Sequence, residues 1–121
     1  MKKTILVVDD EPTVVELIKA VLTDQNYQII TAANGEDGLR QAVEAAPRLI
    51  ILDIMMPKVD GFEVLARLKR DSRTSKIPVV MLSGKGDTGA LFLSQDLRAD
   101  DYLIKPFTPN DLVKVVQQYV C

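Results

Sequence analysis

Two four-residue runs, Ile5-Leu6-Val7-Val8 and Leu49-Ile50-Ile51-Leu52, contain no polar position. A strand with one solvated face alternates apolar with polar residues, so an unbroken apolar run implies cover on both faces. Such strands occur in parallel sheets, whose crossover connections lay helices over each side. The segments between the runs have that character. Pro12 opens a pattern with Val14, Leu17, Ile18, Val21 and Leu22 at spacings of three or four. Leu39, Ala42, Val43 and Ala46 repeat it before Pro47 stops it. Phe62, Val64, Leu65 and Leu68 repeat it again after a turn with Pro57 and Gly61. Tyr27 to Thr31, Pro78 to Leu82 and Tyr102 to Ile104 give three further strand signals. Thr108-Pro109-Asn110-Asp111 joins a hydroxyl cap, a first-turn proline and a carboxylate at the third position. A last helix therefore starts there and continues through Leu112, Val113, Val116 and Tyr119. Between Lys85 and Asp100 the signal is weaker: Asp87 can cap a short helix, but Gly89 and the consecutive Leu91-Phe92-Leu93 blur any single apolar face. Five strands alternating with helices specify an α/β fold, a parallel sheet wound on both sides.

Composition then removes whole classes of function. A chain of 121 residues fits one domain, 1–121, around a single core. It holds no apolar stretch of membrane-spanning length, and the run after Met1-Lys2-Lys3-Thr4 is too short for a signal-peptide core, so a cytoplasmic location is expected. The single cysteine, Cys121, excludes an intrachain disulfide framework. The absence of histidine removes Ser-His and Cys-His nucleophilic sites and the common His-containing zinc sites. A net charge of −2 and a pI near 5.1 argue against direct nucleic-acid binding through phosphate contacts. Carboxylates, hydroxyls and lysines must carry the chemistry.

Reactive groups in parallel sheets gather beyond the carboxyl ends of the strands. Asp9, Asp10 and Glu11 follow the first strand, Asp53 the third, Ser83-Gly84 the fourth and Lys105-Pro106 the fifth. Carboxylates a few ångströms apart repel by roughly a few kcal/mol each at an effective dielectric near 20. A hard cation relieves that repulsion, and Mg²⁺ is the usual one where phosphate supplies the other ligands. Lys105 adds a second positive charge and Ser83 a hydrogen-bond donor, the pattern phosphoryl transfer requires. Asp9 and Asp10, being adjacent, suit metal holding. Asp53, alone after a buried strand, suits attack on phosphorus to give an acyl phosphate.

Val7-Val8-Asp9-Asp10-Glu11-Pro12, Asp53-Ile54-Met55-Met56-Pro57 with Asp60-Gly61, Ser83-Gly84-Lys85-Gly86 and Ala99-Asp100-Asp101-Tyr102-Leu103-Ile104-Lys105-Pro106-Phe107 stand in order along the chain. Together they resemble a response-regulator receiver domain (CheY-like), from residue 4 to about 119. The resemblance implies a flavodoxin-like (βα)5 fold with strand order 2-1-3-4-5. It also implies that Asp53 is the phosphoacceptor, charged from a phosphohistidine on a sensor kinase or phosphotransfer protein. Mg²⁺ would be held by Asp10, Asp53 and the backbone carbonyl of Met55, with Asp9 helping directly or through water. Lys105 would bridge to the phosphate, and the Lys105–Pro106 bond would be cis. Ser83 and Tyr102 match the family's switch hydroxyl and switch aromatic. The face made by the fourth helix, fifth strand and fifth helix would be read by a downstream effector, with the protein a monomer or a phosphorylation-dependent dimer. Membrane contact is not implied.

The match has departures. Arg98 stands where the family commonly has Gly, Leu91 and Leu93 where it is mostly polar, and Gly84 where Ala is frequent. Met55 offers no side chain to orient a hydrolytic water, which implies slow self-hydrolysis. Two other readings compete. An aspartyl-nucleophile phosphatase of the haloacid-dehalogenase type needs Asp-x-Asp-x-Thr, whereas Asp9-Asp10-Glu11-Pro12-Thr13 puts Glu at the acid position. A phosphorylation-independent binding module would be expected to lack part of the acidic pair, the acceptor or the lysine, and all are present. The chain holds no effector domain, so it reads as a stand-alone regulator or as a receiver excised from a longer protein, with Met1 leaning to the former.

Overall fold

Side chains alternate across a strand, and this alternation divides the apolar residues into two layers. In the computed structural model, which describes residues 2–54, 61–84 and 99–120, five strands form one parallel sheet. They are β1 (Thr4–Val8), β2 (Gln28–Ala32), β3 (Leu49–Asp53), β4 (Val79–Ser83) and β5 (Asp101–Ile104), in the expected order β2-β1-β3-β4-β5. Leu6, Val8, Ile50, Leu52, Val79 and Met81 face one layer. Ile5, Val7, Leu49, Ile51, Val80 and Leu82 face the other. The unbroken apolar runs thus fill two cores at once.

Helices α2 (Gly35–Ala45) and α3 (Gly61–Arg70) cover the first layer through Ala42, Val64, Leu65 and Leu68. Helix α1 (Pro12–Asp24) and the C-terminal helix (Pro109–Tyr119) cover the second through Ile18, Leu22, Leu112 and Val116. Leu17, expected on the buried face of α1, instead lies 43% exposed. No helix among the described residues is long and apolar enough to cross a membrane.

Local chemistry sets the element boundaries. Asn26 takes a left-handed conformation (φ 71°) after α1, and β2 begins at Gln28, one residue later than the apolar pattern indicates. Ala46 is left-handed directly before Pro47, ending α2 as expected. Asp53 and Ser83 prove to be the last residues of β3 and β4 rather than the first residues beyond them. The expectations for Met55, Pro57, Asp60, the helix after Lys85, Leu91-Phe92-Leu93, Arg98 and Cys121 lie outside the described residues.

The C-terminal helix starts with the predicted capping box. The Thr108 hydroxyl accepts from the Asp111 N–H at 3.1 Å, and the Asp111 carboxylate accepts from the Thr108 N–H at 3.1 Å. The Thr108 N–H, and after it the Thr108 hydroxyl, hold the Asp111 carboxyl below its ordinary value of 3.8. Thr108→Ala is expected to lower unfolding free energy by about 1 kcal/mol in urea denaturation at neutral pH. A depressed carboxyl contributes fully above its unfolded pKa and loses its contribution as pH falls through the lower folded value. The stability gap between wild type and Asp111→Ala should accordingly shrink as the titration is carried below pH 3.8.

Candidate functional site

Strand order reverses at β1, where the chain steps out to β2 and then returns to place β3 on the other side. The crevice beyond the ends of β1 and β3 is the topological switch point of the sheet, the place where such folds bind ligands. Asp9 and Asp53 stand there, only 1% and 3% exposed. Asp9 is fixed from both sides: its N–H donates to Ala32 O at 3.0 Å, and its Oδ1 accepts from the Glu11 N–H at 2.9 Å. Asp10 stands more open, and one carboxylate oxygen each from Asp9, Asp10 and Asp53 lie within 4.8 Å of one another.

The close approach that seats Asp53 depends on a glycine. The Gly61 N–H donates to Ile54 O at 2.9 Å, bringing the start of α3 against the end of β3. A Cβ at Gly61 would fall on the Asp53 carbonyl oxygen and within 2.8 Å of Ile54 Cα. Only glycine fits there.

Lys105 follows β5, and its N–H donates to Ser83 O at 2.7 Å, continuing the ladder by one step. The Lys105–Pro106 bond is cis, as the family resemblance implied. The Lys105 amine lies 3.2 Å from Glu11 Oε1, 3.5 Å from Asp9 Oδ2 and 3.6 Å from Asp53 Oδ1. Partial burial alone would lower its pKa, but the charges of Asp53, Asp9 and Glu11 together outweigh it, so the net shift is upward from 10.5. The ammonium is therefore fully charged at neutral pH. At separations near 4.8 Å two carboxylates repel by roughly 3.5 kcal/mol at an effective dielectric near 20. One ammonium shared among three carboxylates offsets only part of this. Three hard oxygen donors with residual negative charge fit a divalent cation.

Ser83 and Tyr102 belong to the opposite layer. Ser83 shares the parity of Val79 and Met81 along β4, and Tyr102 packs against the core under α2 and α3. β4 and β5 pair Met81 with Tyr102 and Ser83 with Ile104. Both hydroxyl oxygens are buried without a hydrogen-bond partner among the described residues. Burying an unpaired hydroxyl costs about 1–3 kcal/mol by mutational measures, so both groups are poised to gain from any acceptor that comes within reach.

The structure thus brings Asp9, Asp10, Asp53 and Lys105 together as the sequence predicts, with Ser83 on the same sheet edge but in the other layer. Sequence reasoning missed the part played by Glu11. The bland reading of Asp9-Asp10-Glu11 is a cap for α1, and Glu11 does occupy the N-cap, yet its side chain makes no cap bond and pairs with Lys105 instead. Asp100 accepts through Oδ2 from the Val79 N–H (2.8 Å) and from the Lys69 amine (3.1 Å), tying β5 to β4 and α3. No periodic pattern in the sequence signals either contact.

Comparison with known proteins agrees with this geometry. A family model described as the response regulator receiver domain matches residues 5–117. The chain is 42% identical over 112 residues to the alkaline phosphatase synthesis transcriptional regulatory protein PhoP of Bacillus subtilis, covering 93% of this chain and 46% of that protein. It is 41% identical over 111 residues to the probable transcriptional regulator ycf27 of Cyanophora paradoxa, covering 92% and 45%. The chain therefore spans a little under half the length of these relatives. Among solved structures, Vibrio cholerae chemotaxis protein CheY4 superposes with a TM-score of 0.92 at 29% identity, covering 99% of this chain and all of that one. The receiver domain of NtrX from Brucella abortus gives 0.90 at 32% identity, covering 96% and 97%.

Removing the shared ammonium tests the electrostatics directly. Lys105→Met is expected to lose roughly 2 kcal/mol at neutral pH, between the values for exposed and buried ion pairs. The variant should also gain more thermal stability from a saturating divalent cation than wild type does, because the cation then meets less competing positive charge. Melting curves with and without the cation check both outcomes.

Proposed function

The chain belongs to the response-regulator receiver family, whose members are phosphoaccepting signalling switches rather than independent catalysts, and on that premise we propose that Asp53 is the phosphoacceptor. The phosphoryl group comes from a phosphohistidine of a sensor histidine kinase or phosphotransfer protein, since this chain has no histidine of its own. The observation that carries the reading is the placement of Asp53 at a buried strand end, in one cluster with Asp9 and Asp10 and 3.6 Å from the Lys105 amine.

In the transfer an Asp53 carboxylate oxygen attacks phosphorus, the P–N bond to imidazole breaks, and the leaving nitrogen takes a proton. Asp9 is less suited to attack, because one of its oxygens already accepts from the Glu11 N–H. Asp9, Asp10 and Asp53 would hold Mg²⁺, with the Met55 carbonyl as a further ligand, and when bound the ion offsets the charge of the carboxylates and the phosphoryl oxygens. Lys105 pairs with a phosphoryl oxygen by exchanging Glu11 for it. That exchange costs little, since Glu11 is 56% exposed and is readily rehydrated.

The donor docks beside this pocket. Val14, Leu17, Pro106 and Phe107 surround a cavity of about 310 Å³ that Lys105 also lines, so apolar surface adjoins the charged centre on the side of α1. Once the phosphoryl group is in place, Ser83 turns its unpaired hydroxyl to a phosphoryl oxygen, and Tyr102 moves with the space that Ser83 vacates. The face of β5, the C-terminal helix and the segment before β5 then presents its second state to a cytoplasmic effector.

Asp53→Asn should abolish labelling by acetyl phosphate, scored by intact mass, and labelling at the wild-type level would reassign the acceptor. Labelling should require Mg²⁺. Asp10→Ala should raise the Mg²⁺ dissociation constant by about tenfold or more in isothermal titration, an effect of at least 1.4 kcal/mol. An unchanged constant would remove Asp10 from the metal site.

A further inference from the structure

A second surface lies on α2, α3 and the turn that follows α3, away from the acidic edge of the sheet. These elements enclose a cleft of about 600 Å³. Leu39 and Val43 of α2 and Leu68 of α3 give it an apolar floor, continuous with the core beneath. Arg40, Arg67, Arg70 and Arg73 line it from α2, α3 and the turn, against two carboxylates, Glu44 and Asp71. Asp37 and Glu63 flank the same arginines, so the rim is a set of ion pairs in which Arg70 alone has no carboxylate partner among the described residues.

The guanidinium groups are available for exchange. Arg40 pairs with Asp37 and, at 3.0 Å, with Glu44; Arg67 pairs with Glu63 at 3.1 Å; Arg73 pairs with Asp71 at 2.7 Å. The Arg40 and Arg67 side chains are 58% and 47% exposed, and ion pairs of that kind contribute about 1 kcal/mol or less, whereas Arg73 is held more firmly by a two-bond fork to Asp71. An incoming carboxylate can therefore replace an internal partner at small cost. Arg70 is exposed and makes no ion pair among the described residues. Planar guanidinium forks favour carboxylates, which accept two parallel hydrogen bonds.

We propose that this cleft docks an acidic amphipathic segment of a partner protein, with apolar side chains entering between α2 and α3 and carboxylates meeting the arginine rim. A nucleic-acid backbone is a poorer match, because phosphates have no use for the apolar floor of Leu39, Val43 and Leu68. A second copy of the chain is also a poorer match, since in its densest acidic stretch, Asp9-Asp10-Glu11, both Asp9 and Glu11 are engaged with Lys105. The cleft lies toward the ends where β3 and β4 begin, so its occupant leaves the Asp53 pocket open. The docking is independent of the phosphoacceptor reading.

The probe is a synthetic helix-forming peptide with Leu at alternating three- and four-residue spacing and Glu elsewhere, titrated into the full chain and followed by amide chemical shifts and fluorescence anisotropy. Shifts should centre on Leu39, Val43, Leu68 and Arg70. Arg67→Glu with Arg70→Glu should weaken binding by roughly tenfold or more, and the milder Arg70→Gln by about threefold. Acetyl phosphate labelling and thermal melting, run on both variants, separate loss of docking from loss of fold. The proposal is overturned if shifts centre elsewhere, or if the charge changes leave affinity unaltered. It is equally overturned if a peptide with Lys in place of Glu, or a duplex oligonucleotide, binds as tightly. Self-association of the wild-type chain in sedimentation, broken by Arg70→Glu, would assign the cleft to a second copy and overturn it as well.

Discussion

Two buried carboxylates on neighbouring parallel strands, Asp9 and Asp53, cannot share a crevice with Asp10 unless positive charge is held between them. The fold answers with one lysine from a strand two places away, and most of the architecture can be understood as what brings that amine to that point. β1 and β3 must be adjacent to juxtapose the acids, and β4 then lies between β3 and β5, which stand two strand spacings apart. The ladder extends one residue past β5, through the Lys105 N–H to Ser83 O, so that the side chain leaves the sheet at the correct height. The arrangement is under-neutralised: four acids, Asp9, Asp10, Glu11 and Asp53, meet one permanent base, and the deficit favours binding of a cation.

Strand alternation gives the crevice two chemically different sides. Asp53 continues the parity of Leu49 and Ile51 and so belongs with α1 and the C-terminal helix. Ser83 continues the parity of Val79 and Met81 and so belongs with α2, α3 and Tyr102. The carboxylate side and the opposite layer thus come closest at a single residue position, Ser83 at the end of β4. Adjacent strand ends, Asp53 and Ser83, place side chains on opposite faces of the sheet.

Much of this was legible from residue patterns, and the exceptions have physical causes. The unbroken runs at 5–8 and 49–52 left only a doubly covered sheet, and the order of acidic, hydroxyl and lysine strand ends left little choice of site. The capping box at Thr108 was legible because its chemistry is local, three residues apart. Glu11 was not, since its ion pair with Lys105 spans 94 positions and a glutamate before Pro12 has an adequate local explanation as a cap. Leu17 satisfied the helical period yet faces outward, because periodicity defines an apolar stripe without stating how far round the helix the core extends. Strand ends shifted by one residue at β2 and β4, where turn geometry rather than apolar content decides the boundary.

Asp100 holds the start of β5 in place by several bonds at once. Its carboxylate takes the first N–H of β4 and the Lys69 amine, its carbonyl takes the Tyr119 hydroxyl, and that same hydroxyl reaches Asp101. β5 is an edge strand of four residues, so whatever displaces it has to work against this anchorage. With its start clamped through Asp100 and its far end tied to β4 by the Lys105 N–H bond to Ser83 O, the strand is held at both ends along the ladder. A pull on the lysine side chain is therefore met first by its bond to Ser83 O and only afterwards by the anchorage at Asp100.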